Sequence, residues 1–421
     1  MKRISAVSLG MKSSREMTRT AVIAACVLAS LLVLALFQNC APALPLDGVV
    51  SANSASIRAT ATPGGGAPVG IGTGTTYSGP TYDGVCTWDS TIDQMAQAGT
   101  DVSGNLIAFN NTSTQKAAFW NIAPAGSIAR ASVCYLNLSG YKVEAIGDFD
   151  GDFNKDVLWT NDTTGDVIVW LMYGSNRKST GLVANISSAY NIEGVADFNG
   201  DGKDDLLLRD GSNNIVVMQM NGLSSPTTVA VSQKPTSTQS ITALSSYYDT
   251  TALKKKIAIF FYDSSATAGT AAARPVWYMN GTTATVGNLP TGFVAGSTTT
   301  NGVTTNFIYN ILGIGDFNGD ANADFVLQDP STGNVRIRYS TYASGMFAVY
   351  GTDGTENTIP STWTFTDVQK VNGDVFSDWL WTVNGGTLPV LEYSPVQGTQ
   401  GNLVGLNYIQ SGYSLFKYSH R

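Results

Sequence analysis

Histidine is nearly absent from this chain. The single histidine, His420, is the penultimate of 421 residues. A histidine-based catalytic triad or zinc site is therefore excluded from the body of the sequence. We expect no enzymatic activity. A carboxylate pair acting on polysaccharide needs no histidine and stays open as an alternative.

Positive charge is also scarce. Five of the 24 basic residues lie within residues 1–39, against one of the 31 acidic residues, which leaves 19 basic and 30 acidic residues in the rest of the chain. Such a surface repels a phosphate backbone, so the sequence predicts that nucleic acid is not a partner. With 44 glycines, 10% aromatic residues and only 14 prolines, the composition is typical of an all-β extracellular protein with many turns.

A long hydrophobic run occurs only near the N-terminus. It is uncharged over residues 21–37, follows a basic stretch, and ends shortly before Cys40. Its length does not by itself distinguish a signal peptide from a membrane span. A cysteine directly after such a run resembles a bacterial lipoprotein signal. We therefore predict a signal peptide at 1–39 and an exported chain that is lipid-anchored through Cys40 at the bacterial outer membrane or cell surface.

Two alternatives for the N-terminus stay open, because Asn39 stands where lipoprotein signals usually have a small residue. Cleavage after Ala43 would give a periplasmic or secreted protein, and an uncleaved anchor would keep it in the membrane. Residues 40–80 are mostly Ala, Thr, Ser, Gly and Pro, with too little apolar surface to offset the entropy of ordering the backbone. This segment is predicted to be a flexible tether before a folded body at 81–421.

Only four cysteines are present. Cys26 lies within the predicted signal peptide and Cys40 is the lipidation candidate, which leaves Cys86 and Cys134 in the exported body. An oxidising compartment permits a disulfide, so we predict that these two pair and tie the start of the body to its first repeat. Two separately buried thiols are the alternative.

The body contains three near-copies of a nine-residue acidic loop that runs into an apolar strand. Oxygen-bearing side chains stand at positions 1, 3, 5 and 9 of each copy. These residues are Asp148, Asp150, Asp152 and Asp156; Asp197, Asn199, Asp201 and Asp205; and Asp316, Asn318, Asp320 and Asp324. Carboxylates 4 Å apart repel by about 1 kcal/mol even in water, and a hard divalent cation removes that cost.

We therefore predict three Ca²⁺ sites, with metal-free turns capped by Asp and Asn as the alternative. An EF-hand is excluded, because position 12 is Trp159, Leu208 or Leu327 instead of a carboxylate. In the last repeat, Lys370 occupies position 1, and we predict that its ammonium replaces the cation there. The fourth repeat has the basic triplet 254–256 near its loop, which we interpret as a solvated loop, with an anion contact as the alternative.

Position 9 also measures the repeat length. Equivalent points are Asn105, Asp156, Asp205, Lys256, Asp324 and Asp378, separated by 51, 49, 51, 68 and 54 residues. A period near 50 with about four short strands is typical of a β-propeller. We predict an all-β propeller of six four-stranded blades, with seven as the alternative. The tail at 413–418 is expected to share a sheet with the N-terminal segment of the body and so close the ring.

The sequence Asp-Phe-Asn-Gly-Asp-Gly-Lys-Asp-Asp-Leu at residues 197–206, followed by a glycine turn and an apolar strand, resembles the FG-GAP/VCBS repeat family of integrin α-subunits and bacterial surface proteins. The resemblance covers about 81–421, strongly in three repeats. It implies calcium on one face, bound by the side chains at positions 1, 3, 5 and 9 and by the position 7 carbonyl, and partners engaged elsewhere on the propeller. The position 7 residues are Asn154, Lys203 and Asn322.

These observations predict a surface binding or adhesion module whose partner is an extracellular protein or a glycan, and which contacts the membrane only through its lipid anchor. A Thr- and Gly-rich insertion at 282–307 is expected to lengthen one loop. Five tryptophans recur at strand positions, which indicates core packing, with sugar stacking in a lectin-like propeller as the alternative. They are Trp120, Trp159, Trp170, Trp277 and Trp381.

Overall fold

The computed structural model describes residues 71–72 and 84–416, apart from 88–93, 103–105, 137–138, 301–302, 352, 354–359, 361, 373, 375, 384, 386, 394–401 and 407. The predicted signal peptide, Cys40, most of the predicted tether, Asn105 and His420 lie outside the described residues. Within the described part, no helix has the length and hydropathy needed to cross a membrane.

The described chain folds into a six-bladed β-propeller of small antiparallel sheets, without an α-helix among the described residues. This confirms the predicted fold class and the count of six blades. Two short strands, β1 (Ile71–Gly72) and β2 (Val85–Thr87), precede the blades. Blade 1 contains β3 (Leu106–Asn111), β4 (Lys116–Ile122) and β5 (Ile128–Tyr135). Blade 2 contains β6 (Tyr141–Gly147), β7 (Asp156–Asn161), β8 (Asp166–Tyr173) and β9 (Asn176–Ile186), and β1 pairs with β9.

The middle of the chain forms two more blades and an inserted hairpin. Blade 3 contains β10 (Tyr190–Ala196), β11 (Asp205–Asp210), β12 (Ile215–Asn221) and β13 (Ser224–Ala230). Blade 4 contains β14 (Gln239–Asp249), β15 (Lys254–Asp263), β16 (Pro275–Asn280) and β17 (Thr283–Asn288). The hairpin consists of β18 (Ala295–Thr300) and β19 (Val303–Ile308), and short 3-10 turns occur at Ala271–Ala273 and Thr291–Phe293. The insertion expected as a long loop is thus largely strand.

The last two blades complete the ring. Blade 5 contains β20 (Asn310–Gly315), β21 (Asp324–Gln328) and β22 (Val335–Arg338), followed by the two-stranded sheet of β23 (Ser340–Ala343) and β24 (Met346–Val349). Blade 6 contains β25 (Thr364–Gln369), β26 (Asp378–Val383), β27 (Leu388–Tyr393) and β28 (Asn402–Gly405). The final strand is β29 (Ser414–Leu415).

The C-terminal strand closes the ring by entering the N-terminal blade. In blade 1 the strand order is β2-β5-β4-β3-β29, and Leu415 of β29 pairs with Phe109 of β3. This confirms that the tail shares a sheet with the N-terminal segment of the body. At the other edge of the same sheet, Cys86 of β2 lies opposite Cys134 of β5, and their Sγ atoms form a disulfide of 2.08 Å.

The core lies between neighbouring blades. The second strand of a blade is covered on both faces, so all six residues of β7 and of β26 are buried, the polar ones included. The five repeated tryptophans are at most 2% exposed, as core packing predicts. The inner strands approach so closely that a Cβ on Gly315 would lie 2.6 Å from Val368 of the next blade.

The inner strands of all blades run in the same direction along the propeller axis. The connections from first to second strand, and from third to fourth strand, therefore emerge on one face of the propeller. We call this the loop face. All three acidic loops lie on it, in blades 2, 3 and 5.

Candidate metal sites

The three acidic loops share one backbone conformation. Each begins where the inner strand ends, and its ninth residue is the first residue of the second strand. Position 4 is a glycine with positive φ in every loop. Position 6 also has positive φ, at 66° for Phe153, 86° for Gly202 and 67° for Ala321. The departures from glycine at position 6 therefore leave the turn unchanged.

The side chain at position 1 organises the loop. In blade 2, Asp148 Oδ1 accepts a hydrogen bond from the Gly151 N–H at 2.7 Å, and its Oδ2 accepts one from Phe153 at 2.8 Å. Asp197 and Asp316 accept the equivalent bonds in their own loops. Positions 3 and 5 each accept the amide two residues later.

The aspartate at position 9 is fully buried. Asp156 Oδ2 accepts the Phe149 N–H at 2.9 Å, and Oδ1 accepts the Met172 N–H at 2.8 Å from the third strand. Asp205 and Asp324 are held in the same way. Burial, together with nearby acidic groups of the same loop, raises the pKa of these carboxyls to about 8, about 7 and about 8 in blades 2, 3 and 5.

Blade 2 brings three carboxylates to one point. Ligand oxygens of Asp148, Asp150 and Asp156 all lie within 4.8 Å of one another, which no other acidic, histidine or cysteine trio among the described residues matches. A cation with Ca²⁺–oxygen distances of about 2.3–2.6 Å can bridge atoms with this spacing. In the other two loops, position 3 is an asparagine, so fewer carboxylates face the centre.

Position 5 behaves differently from the other predicted ligands. Asp152 forms an ion pair with Lys178 of β9, and Asp201 pairs with Lys203 at 3.3 Å. Burial raises the pKa of Asp152, but its hydrogen bonds from Lys178 and Asn154 outweigh this effect and leave that pKa below its usual value. The structure thus brings positions 1, 3 and 9 together in blade 2 and places position 5 beside a lysine.

At position 7, the side chains also have structural partners. Asn154 Nδ2 donates to Asp152 Oδ1 at 2.9 Å within its own loop. In contrast, Asn322 Oδ1 accepts the Tyr248 N–H at 3.0 Å and so connects blade 5 to blade 4. The role of the position 7 carbonyl as a ligand stays a prediction.

Position 8 joins neighbouring loops, a role that sequence reasoning missed. Asp204 in blade 3 accepts the Asp148 N–H at 2.8 Å and returns a backbone hydrogen bond to the Asp148 carbonyl at 2.6 Å. Lys155 also donates to Asp204, at 3.1 Å. Ser377 in blade 6 makes the same two bonds to Asp316 in blade 5. Each pair of bonds holds position 1 of the preceding loop.

Blades 4 and 6 have lysines where the acidic loops have oxygens. In blade 4, Lys256 pairs with Asp249 at 2.6 Å. In blade 6, burial and the nearby Lys255 lower the pKa of Lys370, whereas Asp316 and Asp374 act against that shift. Lys370 therefore lies within electrostatic reach of two carboxylates. The absence of metal from this loop stays a prediction.

Comparison with known proteins assigns no family to this chain. No protein-family model and no curated protein matches the chain. Among solved structures, 80 chains match. One is the dihydro-heme d1 dehydrogenase NirN in complex with DHE, with 10% identity, a TM-score of 0.29, and coverage of 72% of this chain and 54% of that chain. This chain spans about half the length of that neighbour, and similarity at this level carries no inference about ligand or activity.

Proposed function

We propose that this chain is an exported, calcium-stabilised β-propeller of the FG-GAP/VCBS type that acts as a surface binding or adhesion module. Its partner is an extracellular protein or glycan, and its tie to the membrane is an N-terminal lipid anchor. Catalysis is not part of the proposal. Three features support it: the acidic loops, an exposed apolar surface beside them, and the pattern of residues before Cys40.

Calcium is supported by the donor set. Asp148, Asp150 and Asp156 converge, and the loops of blades 2, 3 and 5 share one backbone conformation and one hydrogen-bond pattern. All donors are oxygens, the ligands that Ca²⁺ prefers. A cation also offsets the repulsion that Asp148 and Asp150 exert on the buried Asp156 carboxylate.

The exposed side chain of Phe153 is the main observation in favour of the binding function. Its side chain is 84% exposed on the loop face, and its backbone has a φ of 66°. A positive φ is rare for a bulky residue, and exposed apolar side chains that occur together mark contact surfaces. Other exposed apolar side chains stand at turns of the same face, namely Tyr173, Leu223, Leu253 and Met346. We infer that the loop face is the binding surface, which departs from the family expectation that partners engage elsewhere.

A protein partner is favoured over a glycan. The repeated tryptophans that could stack on sugars are buried between blades. The exposed residues on the loop face are mixed aromatic and aliphatic, a composition suited to a protein surface.

A binding screen tests this function. Immobilised extracellular proteins and glycans are probed with the wild-type protein and with Phe153→Gly in calcium. We expect a partner that the wild type captures and that the variant binds at least about tenfold more weakly. The variant should melt no lower than the wild type, because glycine relieves the positive φ. Val286→Thr, at another exposed apolar position on β17, is the matched control and should bind normally. Equal binding by Phe153→Gly would refute the loop face as the contact surface.

The lipid anchor has its own test. Cys40→Ser should move the protein from the membrane fraction to the soluble fraction, because the serine hydroxyl cannot carry the thioether-linked lipid. Cys26→Ser, within the predicted signal peptide, should leave the protein in the membrane fraction. Retention of Cys40→Ser in membranes would instead support an uncleaved anchor.

A further inference from the structure

A cavity of about 620 Å³ is lined by the inner strands of blades 4, 5 and 6, by β15 and β16 of blade 4, and by the closing strand β29. Its walls are mainly apolar and include Phe260, Val276, Leu289, Ile311 and Phe365. None of its lining residues belongs to an acidic loop. A cavity of this volume, with apolar walls and few polar groups, has the character of a small-molecule site.

One charged group in the wall lacks a counterion. Arg274, directly before β16, is half-buried and its guanidinium stacks on the Tyr262 ring at 4.8 Å. Its Nε is buried without a hydrogen-bond partner, and no ion pair or side-chain hydrogen bond to the guanidinium occurs in the part of the chain that the structure describes. By contrast, the half-buried Arg130 pairs with Asp101 at 2.9 Å. Burial also lowers the pKa of Arg274, and the nearby Tyr262 acts against that shift.

The acidic residue in the cavity wall does not neutralise this arginine. Asp367 is 3% exposed, and it accepts hydrogen bonds from Gln369 Nε2 and from the Val368 N–H, both at 2.9 Å. Both donors belong to its own strand, β25. Among the described residues, the buried Nε of Arg274 therefore has no protein acceptor, an arrangement that is unfavourable in an apolar surrounding.

We propose that this cavity binds a monocarboxylic acid with an apolar body, such as a medium-chain fatty acid, whose carboxylate accepts hydrogen bonds from Arg274. The planar guanidinium matches a carboxylate with two parallel hydrogen bonds. The apolar body would lie against Phe260, Ile311 and Phe365. A phosphate dianion fits less well, because the lining residues offer no second cation for its second charge.

Calorimetric titration of the full chain with decanoate, in saturating calcium, tests the site, and decan-1-ol serves as the uncharged match. Wild type should bind one decanoate. Arg274→Gln should weaken the binding of decanoate at least about tenfold, because hydrogen bonds to the charged guanidinium are lost, and should change the affinity for decan-1-ol less than twofold. Arg274→Lys keeps the charge but loses the two parallel N–H donors of the guanidinium. Its affinity for decanoate should lie between those of wild type and Arg274→Gln.

Two further variants locate the site. Thr242→Trp, which fills the cavity from β14, should abolish binding of both probes while the melting transition shows a folded protein. Arg177→Gln removes another arginine that stacks on an aromatic ring, Trp170, away from the cavity, and should bind decanoate like wild type. No binding by wild type, equal losses for decanoate and decan-1-ol in Arg274→Gln, or unchanged binding in Thr242→Trp would overturn the proposal. Phe153→Gly should bind decanoate normally, which separates this site from the loop face.

Discussion

At the residue scale, position 6 of the acidic loops shows how backbone strain is distributed among copies of one motif. Gly202 adopts its φ of 86° without a side-chain clash, whereas Ala321 adopts 67° at the same position. A left-handed conformation costs an L-residue about 1–2 kcal/mol, and glycine avoids most of this. The two loops therefore form a natural pair for exchanging the residues.

We expect Ala321→Gly to raise the free energy of unfolding by about 1 kcal/mol and Gly202→Ala to lower it by a similar amount. Nothing lies within 4 Å of a Cβ added to Gly202, so only the backbone term changes there. Urea unfolding in calcium measures both values. A lower stability of Ala321→Gly would show that the alanine methyl makes a contact worth more than the strain.

Some of these residue-level features can be predicted from the sequence and others cannot. The oxygen-bearing side chains at positions 1, 3, 5 and 9 can, because their spacing is local and their chemistry is repeated. The left-handed φ of Phe153 cannot, because an exposed phenylalanine gives no sequence pattern for a glycine-like turn. Arg274 was also invisible, since its lack of a partner depends on strands that are distant in the chain.

At the element scale, the loops are joined into pairs across blade boundaries. Asp204 closes a two-bond link to Asp148, and its carboxylate also receives Lys155. Removal of this side chain leaves the Asp148 N–H without its acceptor. A buried donor without a partner costs about 1–3 kcal/mol.

Asp204→Ala should therefore lower the free energy of unfolding by about 1–3 kcal/mol, measured by urea unfolding. Asp162→Ala removes an exposed aspartate that pairs with Lys142 at 2.7 Å, and should cost less than about 0.5 kcal/mol. If the free energy of unfolding falls by the same small amount in both variants, the link across blades does not stabilise the fold.

Elements inside one repeat were predicted better than the contacts between repeats. The apolar strand after each acidic loop, and the glycine turn and strand that follow residues 197–206, were readable within a single repeat. The position 8 link joins residues 56 positions apart, Asp148 and Asp204, so neither repeat contains its pattern alone. The hairpin of β18 and β19 was expected as a loop, because its Thr- and Gly-rich sequence has no apolar face to indicate strands.

At the scale of the whole molecule, the stability of the ring depends on how its ends are joined and on the acidic loops of the loop face. β29 gives blade 1 its inner strand, and the disulfide at Cys86 holds the outer edge of the same blade. Both ends of the body are therefore fixed in one sheet. The described part of the loop face contains no disulfide. In each of its three acidic loops, a buried aspartate lies near other carboxylates. The stability of the loop face should depend on calcium and on pH together.

Chelation by EGTA at pH 8 should lower the melting midpoint by at least about 5 °C, because calcium bound only to the folded state adds about 2.7 kcal/mol per site at 100 times its dissociation constant. Excess Mg²⁺ should not restore the midpoint, since it demands a tighter octahedral site. An unchanged midpoint in EGTA would refute the calcium assignment.

The pH dependence follows from the raised pKa values of Asp156, Asp205 and Asp324. Each is close to 3.8 in an unfolded chain but about 7 to 8 in the calcium-free fold. The folded protein therefore holds protons that the unfolded chain has released, and stability falls as pH rises from about 4 to 8. In EGTA the melting midpoint should recover as pH falls from 8 to 6, whereas protons compete with calcium in the loaded protein. The gap between the two midpoints should narrow over this range, and a gap independent of pH would show that these carboxylates do not hold the cation.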